Sequence, residues 1–261
     1  MHLNSGPDSF ITKLIRNYSE WKDKNGKTRE EDCMMRKTKK LAVVMGFLLL
    51  MAVITTVPAF AAKSGGWSVS KARYSFLTSG QEKMFNKAVK GLTGVSYKPV
   101  AVVMKGHEKS IGSAYLYLCQ GTTVTKKPAK AWYLMCVLKN EKKKISVEFI
   151  NKIKVSDIKT RSDETSEYSS KDICVVKNKP AALSKEARDV FNKGTKKYVG
   201  VDLRPIALLG TQIVAGKNYR FLCSGIALGE KDVYVVDIYK KTNGKCKVTF
   251  CEPLDILSYI E

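Results

Sequence analysis

The chain contains two segments in which apolar residues first recur at the spacing of an α-helix and then alternate as in a β-sheet. In the first segment the helical stripe runs from Phe85 to Leu92, and in the second it runs from Ala187 to Tyr198. Apolar residues at i, i+3, i+4 and i+7 occupy one face of a helix, so each stripe predicts an amphipathic helix with one face toward a core.

Both predicted helices have residues suited to beginning and ending them. Thr78 and Ser184 precede the two stripes, and each side-chain oxygen can accept a hydrogen bond from a backbone N–H of the first turn. Gly94 and Gly200 follow the stripes and can adopt the left-handed conformation that ends many helices. Each helix is therefore expected to lie between its cap and its glycine.

After each helix the period of the apolar residues changes from 3.6 to 2. Alternation of this kind is typical of strands in a sheet that packs one face on a core. The expected strands of the first segment are 67–71, 100–104, 115–119, 131–138 and 145–149, and those of the second are 173–177, 206–209, 219–223, 232–239 and 246–250. Short polar turns between the later strands predict antiparallel hairpins.

The two segments also align with each other in sequence. The aligned pairs include Trp67 with Ile173, Phe85 with Phe191, Pro99 with Pro205, Tyr115 with Tyr219, and Lys144 with Lys245. Their offset falls from 106 to 104 and then to 101 residues, and it changes only where loops are expected. A repeat of this length has the size of a domain.

We therefore predict an α+β protein built from two tandem domains. The first domain is placed at 65–158, a polar linker at 159–171, and the second domain at 172–261. Each domain is predicted to pack one helix on a curved antiparallel sheet of four to five strands.

The front of the chain resembles an export signal. A basic cluster around Arg36 is followed by an apolar run, a proline at position 58, and small residues at Ala59 and Ala61. These features predict a signal peptide at 35–61 that is cleaved after Ala61, which would make the protein secreted or cell-surface. The alternative is a single-pass membrane anchor at 41–62 with the domains outside, because that stretch can just span a bilayer of roughly 30 Å.

Residues 1–34 are polar, mixed in charge and without lasting periodicity. Such a segment is unusual in front of an export signal, so we expect translation to start at Met34 or Met35. The segment 1–34 is accordingly interpreted as an N-terminal extension that takes no part in the fold.

The charge of the chain is strongly positive, with a net value of +22. Residues 1–62 hold ten Lys and Arg and six Asp and Glu, which leaves +18 for the remainder. A basic surface attracts anionic polymers such as those of a cell wall or matrix, although lysines at hairpin tips also serve solubility. No nucleic-acid-binding motif is present, and we expect membrane contact only through the apolar N-terminal segment if it stays uncleaved.

Six cysteines follow the signal, an even number that permits disulfides without fixing their connectivity. Their positions equally suit small apolar residues within strands. His107 is the only histidine after the signal, and no spacing of metal ligands surrounds it. Asp237, among apolar strand residues, is expected to face solvent. We predict no cofactor, no metal and no enzymatic activity.

One hairpin carries a recognisable motif. Gln212-Ile213-Val214-Ala215-Gly216 follows the second helix and matches the Q-x-V-x-G sequence of cystatins, whose order of one early helix and antiparallel hairpins the chain also resembles. The resemblance implies two cystatin-like domains, and a wedge of Gln212, Val214 and Gly216 that enters the active-site cleft of papain-like cysteine proteases. Gly65 and Gly66 resemble the N-terminal trunk that assists the wedge in that family, although they belong to the first repeat.

The chain also departs from that family. The first repeat carries Lys105–Gly112 where the wedge should be. In cystatins a second hairpin with a Pro-Trp pair also assists the wedge, and neither repeat has that pair on its second hairpin. Despite these departures, the function that the resemblance implies is reversible inhibition of a papain-like cysteine protease by an exported, non-enzymatic binding protein. The alternatives are a basic module that binds anionic cell-wall or matrix polymer, and a protein–protein interaction module without inhibitory activity.

Overall fold

The computed structural model describes residues 66–72, 77–108, 112–161, 173–175, 183–227 and 230–259. The predicted extension at 1–34, the signal at 35–61 with Ala59 and Ala61, and Gly65 lie outside these residues. Most of the predicted linker, 162–171, also lies outside them. Residues from Ala61 to Glu261 belong to one compact unit.

The secondary structure follows the same order in both repeats, as the sequence predicts. The first repeat contains β1 (Ser68–Val69), α1 (Ser79–Val89), β2 (Val95–Glu108), β3 (Gly112–Thr123), β4 (Lys130–Lys139) and β5 (Ile145–Ile153). The second contains β6 (Ile173–Val175), α2 (Lys185–Thr195), β7 (Asp202–Val214), β8 (Gly216–Ala227), β9 (Glu230–Lys240), β10 (Cys246–Pro253) and a short 3-10 helix (Leu257–Tyr259). The fold class is thus α+β, with two antiparallel sheets of five strands each.

The predicted caps begin both helices. The Thr78 side chain accepts a hydrogen bond from the Gln81 backbone N–H, while the Gln81 side chain accepts one from the Thr78 backbone N–H. Ser184 accepts from the Ala187 N–H at 3.1 Å. Both helices end earlier than their apolar stripes, since Leu92 and Tyr198 lie in the turns that follow.

The strands of the long hairpins extend beyond the predicted apolar runs. Strand β2 covers 95–108, although its apolar run is only 100–104. The register shifts after Pro99 in β2 and after the equivalent Pro205 in β7. A proline has no backbone N–H for a ladder, so it is tolerated at a bulge or on a sheet edge.

The first strand of each repeat joins the sheet of the other repeat. Strand β1 pairs with β7, with Ser68 opposite Thr211, and β6 pairs with β2, with Cys174 opposite Lys105. The strand orders are therefore β6-β2-β3-β4-β5 and β1-β7-β8-β9-β10. This reciprocal exchange differs from the sequence interpretation, in which each first strand belongs with its own repeat.

Each helix covers one face of the sheet formed by its own repeat. The core under α1 contains Met84, Phe85, Val102, Tyr117, Cys119, Met135 and Val137. The core under α2 contains Leu183, Ala187, Val190, Phe191, Tyr219, Phe221, Cys223, Tyr234, Val236 and Ile238. Phe85 packs on Tyr117 and Phe191 on Phe221 with ring centroids 5.1 and 5.3 Å apart, so the two helices use equivalent aromatic contacts.

The opposite face of each sheet is buried as well. Leu118 and Leu134 in the first sheet and Leu222 and Val235 in the second alternate with the helix-facing residues, and all four are fully buried. The Trp132 indole N–H donates to the Leu209 carbonyl at 2.8 Å, from the first repeat to the second. The helix-free faces therefore hold contacts between the repeats.

A buried ion pair lies on the helix-free face of the second sheet. Arg220 and Asp237 are opposite each other on β8 and β9, and two hydrogen bonds of 2.7 and 2.6 Å join them. Arg220 also donates to the Val155 carbonyl at 2.5 Å and lies 4.3 Å from the centre of the Trp67 ring. The expectation that Asp237 faces solvent is wrong, because residues of the first repeat cover this face.

Candidate functional site

The hairpin that carries the Q-x-V-x-G sequence is the tight turn between β7 and β8. Val214 is opposite Gly216, which leaves Ala215 alone at the tip. Gln212 is half-buried, and its side-chain oxygen accepts a hydrogen bond from the Asn218 amide at 3.1 Å. Ile213 is 69% exposed, so it is the principal apolar side chain that this hairpin presents to solvent.

Gly216 has a structural role within this hairpin. Its φ is +139°, and an added Cβ would lie 2.5 Å from the Lys240 carbonyl oxygen and 2.7 Å from the Tyr239 ring. Tyr239 also donates its hydroxyl to the Ala215 carbonyl at 2.5 Å. The equivalent Gly112 of the first repeat has φ +114° and also meets the backbone of the neighbouring strand. The fold itself therefore requires glycine at both positions.

The strand exchange places the strand after the trunk residues on the sheet of this hairpin. In the antiparallel register, Ser68 is opposite Thr211 and Val69 is opposite Gly210. The pairing begins at Ser68, and Gly66 precedes it by two residues. Gly66 is exposed, and no atom lies within 4 Å of the Cβ that a substitution would add. The structure thus pairs the strand that follows Gly66 with the strand that leads into the Gln212–Gly216 hairpin, although they come from different repeats.

A second hairpin, between β9 and β10, lies at the same end of the sheet. Ile213, Lys217, Lys240 and Cys246 are register partners in one row across four strands. The turn is closed by a hydrogen bond of 2.9 Å from the Lys241 N–H to the Lys245 carbonyl. Lys241 and Lys245 are exposed. We call the residues 66–67, 212–217 and 240–246 the hairpin edge.

Glu186, in the first turn of α2, connects the helix to the hairpin edge. Its carboxylate accepts the Tyr219 hydroxyl and lies 3.5 Å from the Lys217 ammonium and 3.9 Å from that of Lys240. The hydrogen bond from Tyr219, with a smaller contribution from the lysines, lowers the pKa of Glu186 although partial desolvation opposes the shift. A cavity of about 310 Å³ opens beside it, between α2 and the β9–β10 turn.

The first repeat lacks this arrangement. Gly80 and Ser113 occupy the positions equivalent to Glu186 and Lys217. The hairpin of β2 and β3 is longer, with residues 109–111 outside the described part. His107 is exposed there, and its Nδ1 is 3.0 Å from the Ser113 hydroxyl. The sequence shows that both positions differ between the repeats, but only the tertiary structure shows that Glu186 and Lys217 meet.

Among the residues that the structure describes, the cysteines and other ionisable groups form no further candidate site. Cys119, Cys136, Cys223, Cys246 and Cys251 are free, and burial raises the pKa of the first three well above the ordinary value of a thiol. Within the described ranges, no group of three or more His, Cys, Asp or Glu is placed to hold a metal ion. The helices in that part of the chain are too short or too polar to cross a membrane.

No protein-family model matches the chain, and the comparison with curated proteins finds no match. The class that the fold defines is an α+β protein in which two equivalent helix-on-sheet repeats exchange their first strands.

Proposed function

We propose that this chain is an exported cystatin-like protein that reversibly inhibits a papain-like cysteine protease through the hairpin edge. The observation that carries the proposal is the pairing of β1, which follows Gly66, with β7, which leads into the hairpin of Gln212, Val214 and Gly216. Gly65 precedes Gly66 and would extend the same trunk. In this proposal the signal at 35–61 is removed after Ala61, so the trunk starts a few residues before β1.

The geometry supports inhibition on physical grounds. A hairpin held by a ladder loses little conformational entropy on docking, so more of its contact energy contributes to affinity. Ile213 supplies an exposed apolar side chain, and the exposed backbone at Gly66 permits a close approach to a partner. The hairpin inserts no extended substrate-like segment, so the inhibitor would leave intact.

The proposal also assigns different roles to the two repeats. The first repeat supplies the trunk and the buried face against which the second sheet packs, and the second supplies both hairpins. Residues 65–158 and 172–261 would therefore each resemble a cystatin domain in element order but would not form complete inhibitors when separated. A single protease would bind each chain.

The test is a titration of residues 62–261 against a papain-like cysteine protease with a fluorogenic substrate. Ile213→Glu should weaken inhibition at least about tenfold, because a buried charge without a partner is strongly unfavourable. Val199→Glu is the matched control, since Val199 is 86% exposed in the same repeat but away from both hairpins. Absence of inhibition at micromolar protein, or equal inhibition by the Ile213 variant and the wild type, would refute the proposal.

Binding to an anionic cell-wall or matrix polymer is the second candidate. Exposed lysines on several hairpin tips favour it, namely Lys126, Lys127, Lys142, Lys143, Lys144, Lys241 and Lys245. Retention on isolated wall material at low ionic strength that disappears at high ionic strength would support this candidate, because exposed charges are screened by salt. Retention that survives high salt would instead indicate an interaction module that recognises its partner by other contacts.

A further inference from the structure

We propose that the protease recognised by the hairpin edge has acidic residues on the rim of its active-site cleft, next to an apolar subsite. This inference rests on the proposed function and specifies the chemistry of its partner. Its basis is the juxtaposition of one exposed apolar side chain, Ile213, with the lysine-bearing turn between β9 and β10.

The two features lie on the same end of one sheet. The row of register partners from Ile213 to Cys246 crosses three intervals between neighbouring strands, and the Lys241–Lys245 turn joins the last two strands, which places it about 10–14 Å from the Ile213 strand. Hydrogen bonds hold the β7–β8 turn and the β9–β10 turn, and Gly244 has φ +80° in the latter. A partner that receives Ile213 in an apolar subsite therefore meets the lysine turn at the rim.

The charge of this end is positive. The Glu186 carboxylate lies 3.5 Å from the Lys217 ammonium and 3.9 Å from the Lys240 ammonium, so one negative charge faces two positive charges. Among the described residues, no ion pair engages Lys241 or Lys245, and both are exposed. Ammonium groups in this position attract carboxylates of a partner and accelerate association.

An anionic polymer alone would not account for both features. A polymer held by charge gains nothing from an exposed Ile213, whereas an apolar subsite next to carboxylates complements both groups.

The experiment measures the association and dissociation rates of residues 62–261 with two papain-like proteases, one with an acidic cleft rim and one with a basic rim. The variant is Lys241→Gln with Lys245→Gln, and the matched control is Lys126→Gln with Lys127→Gln in the exposed β3–β4 hairpin. Rates are compared at about 0.01 M and about 1 M salt, where the Debye length is about 30 and about 3 Å.

With the acidic-rimmed protease, we expect the Lys241/Lys245 variant to associate about three- to tenfold more slowly at low salt and at nearly the wild-type rate at high salt. The control should remain within about twofold of the wild type, and the protease with the basic rim should associate most slowly. Inhibition with unchanged association of the variant would overturn this inference and leave the proposed function intact. Absence of inhibition by the wild type would overturn both, and binding only to anionic polymer would favour the second candidate.

Discussion

Removal of one member of the buried Arg220–Asp237 pair should destabilise the protein more than removal of both. The side chains are 15% and 12% exposed, and two charge-assisted hydrogen bonds join them. Asp237→Leu leaves the guanidinium without a counter-charge, and Arg220→Leu leaves the carboxylate without one. Each single change should lower the free energy of unfolding by about 3 kcal/mol. This value is at the lower end of the range for buried ion pairs, because some water still reaches both groups.

The double variant Arg220→Leu, Asp237→Leu should cost only about 1 kcal/mol. Its two leucines restore apolar packing, and what remains lost is the hydrogen bond to the Val155 carbonyl and the contact with the Trp67 ring. Strong non-additivity of the two changes is therefore the expected result of the double-mutant cycle.

The assay is equilibrium unfolding of residues 62–261 in urea, followed by the fluorescence of Trp67 and Trp132. For about 200 residues, a loss of 3 kcal/mol corresponds to a decrease in Tm of about 10 °C, which gives a second reading of the same effect. Arg204→Leu is the control, because its pair with Asp202 has an N···O distance of 3.6 Å with 50% and 62% exposed side chains. This control substitution should lower the free energy of unfolding by less than about 0.5 kcal/mol.

Two results would refute the reasoning. Single variants within about 1 kcal/mol of the wild type would mean that water solvates the pair in the folded protein. Additive losses in the double variant would mean that the two side chains act independently rather than as one ion pair.

Three further predictions concern the hairpin edge and the thiols. Gly216→Ala should lower the unfolding free energy by about 1–3 kcal/mol, because of its positive φ and the contact with Lys240, whereas Gly66→Ala should leave it unchanged in the same urea assay. Glu186→Gln should be less stable than the wild type near neutral pH, and the difference should shrink as pH falls below the unfolded-state glutamate pKa of about 4.3 and vanish below the lower folded-state pKa; a difference that does not shrink in unfolding curves at acid pH would contradict this. Cys119 should resist a thiol reagent at about pH 8 until unfolding, whereas half-buried Cys246 should react in the native protein, as mass spectrometry of the labelled peptides can establish.

The sequence could predict most of the local structure because local signals determine it. Thr78 and Ser184 begin the helices as expected, since a cap requires only residues within one turn. The hairpins also occur where alternation and turn residues place them. The strands β2 and β7 are longer than predicted because their polar ends pair through backbone groups, which leave no signal in the side chains.

The strand exchange could not be predicted from the sequence. Strands β1 and β6 have two and three residues, and they attach mainly by backbone hydrogen bonds that almost any sequence can make. Because the repeats are equivalent, either sheet offers the same edge to either strand. The prediction that Asp237 faces solvent is wrong for the same reason. Alternation identifies the second face of a sheet, but only the tertiary structure determines whether another repeat covers that face.

The exchange also explains why duplication yields one candidate site rather than two. At the second sheet, β1 leads from Gly66 into pairing with β7 beside the Q-x-V-x-G hairpin. At the first sheet, the equivalent strand β6 follows a segment that begins at Arg161, whose backbone N–H is bonded to the Pro253 carbonyl. The first repeat lacks the motif but supports the second repeat, because β1 pairs with β7 while Val155 and Trp67 contact Arg220.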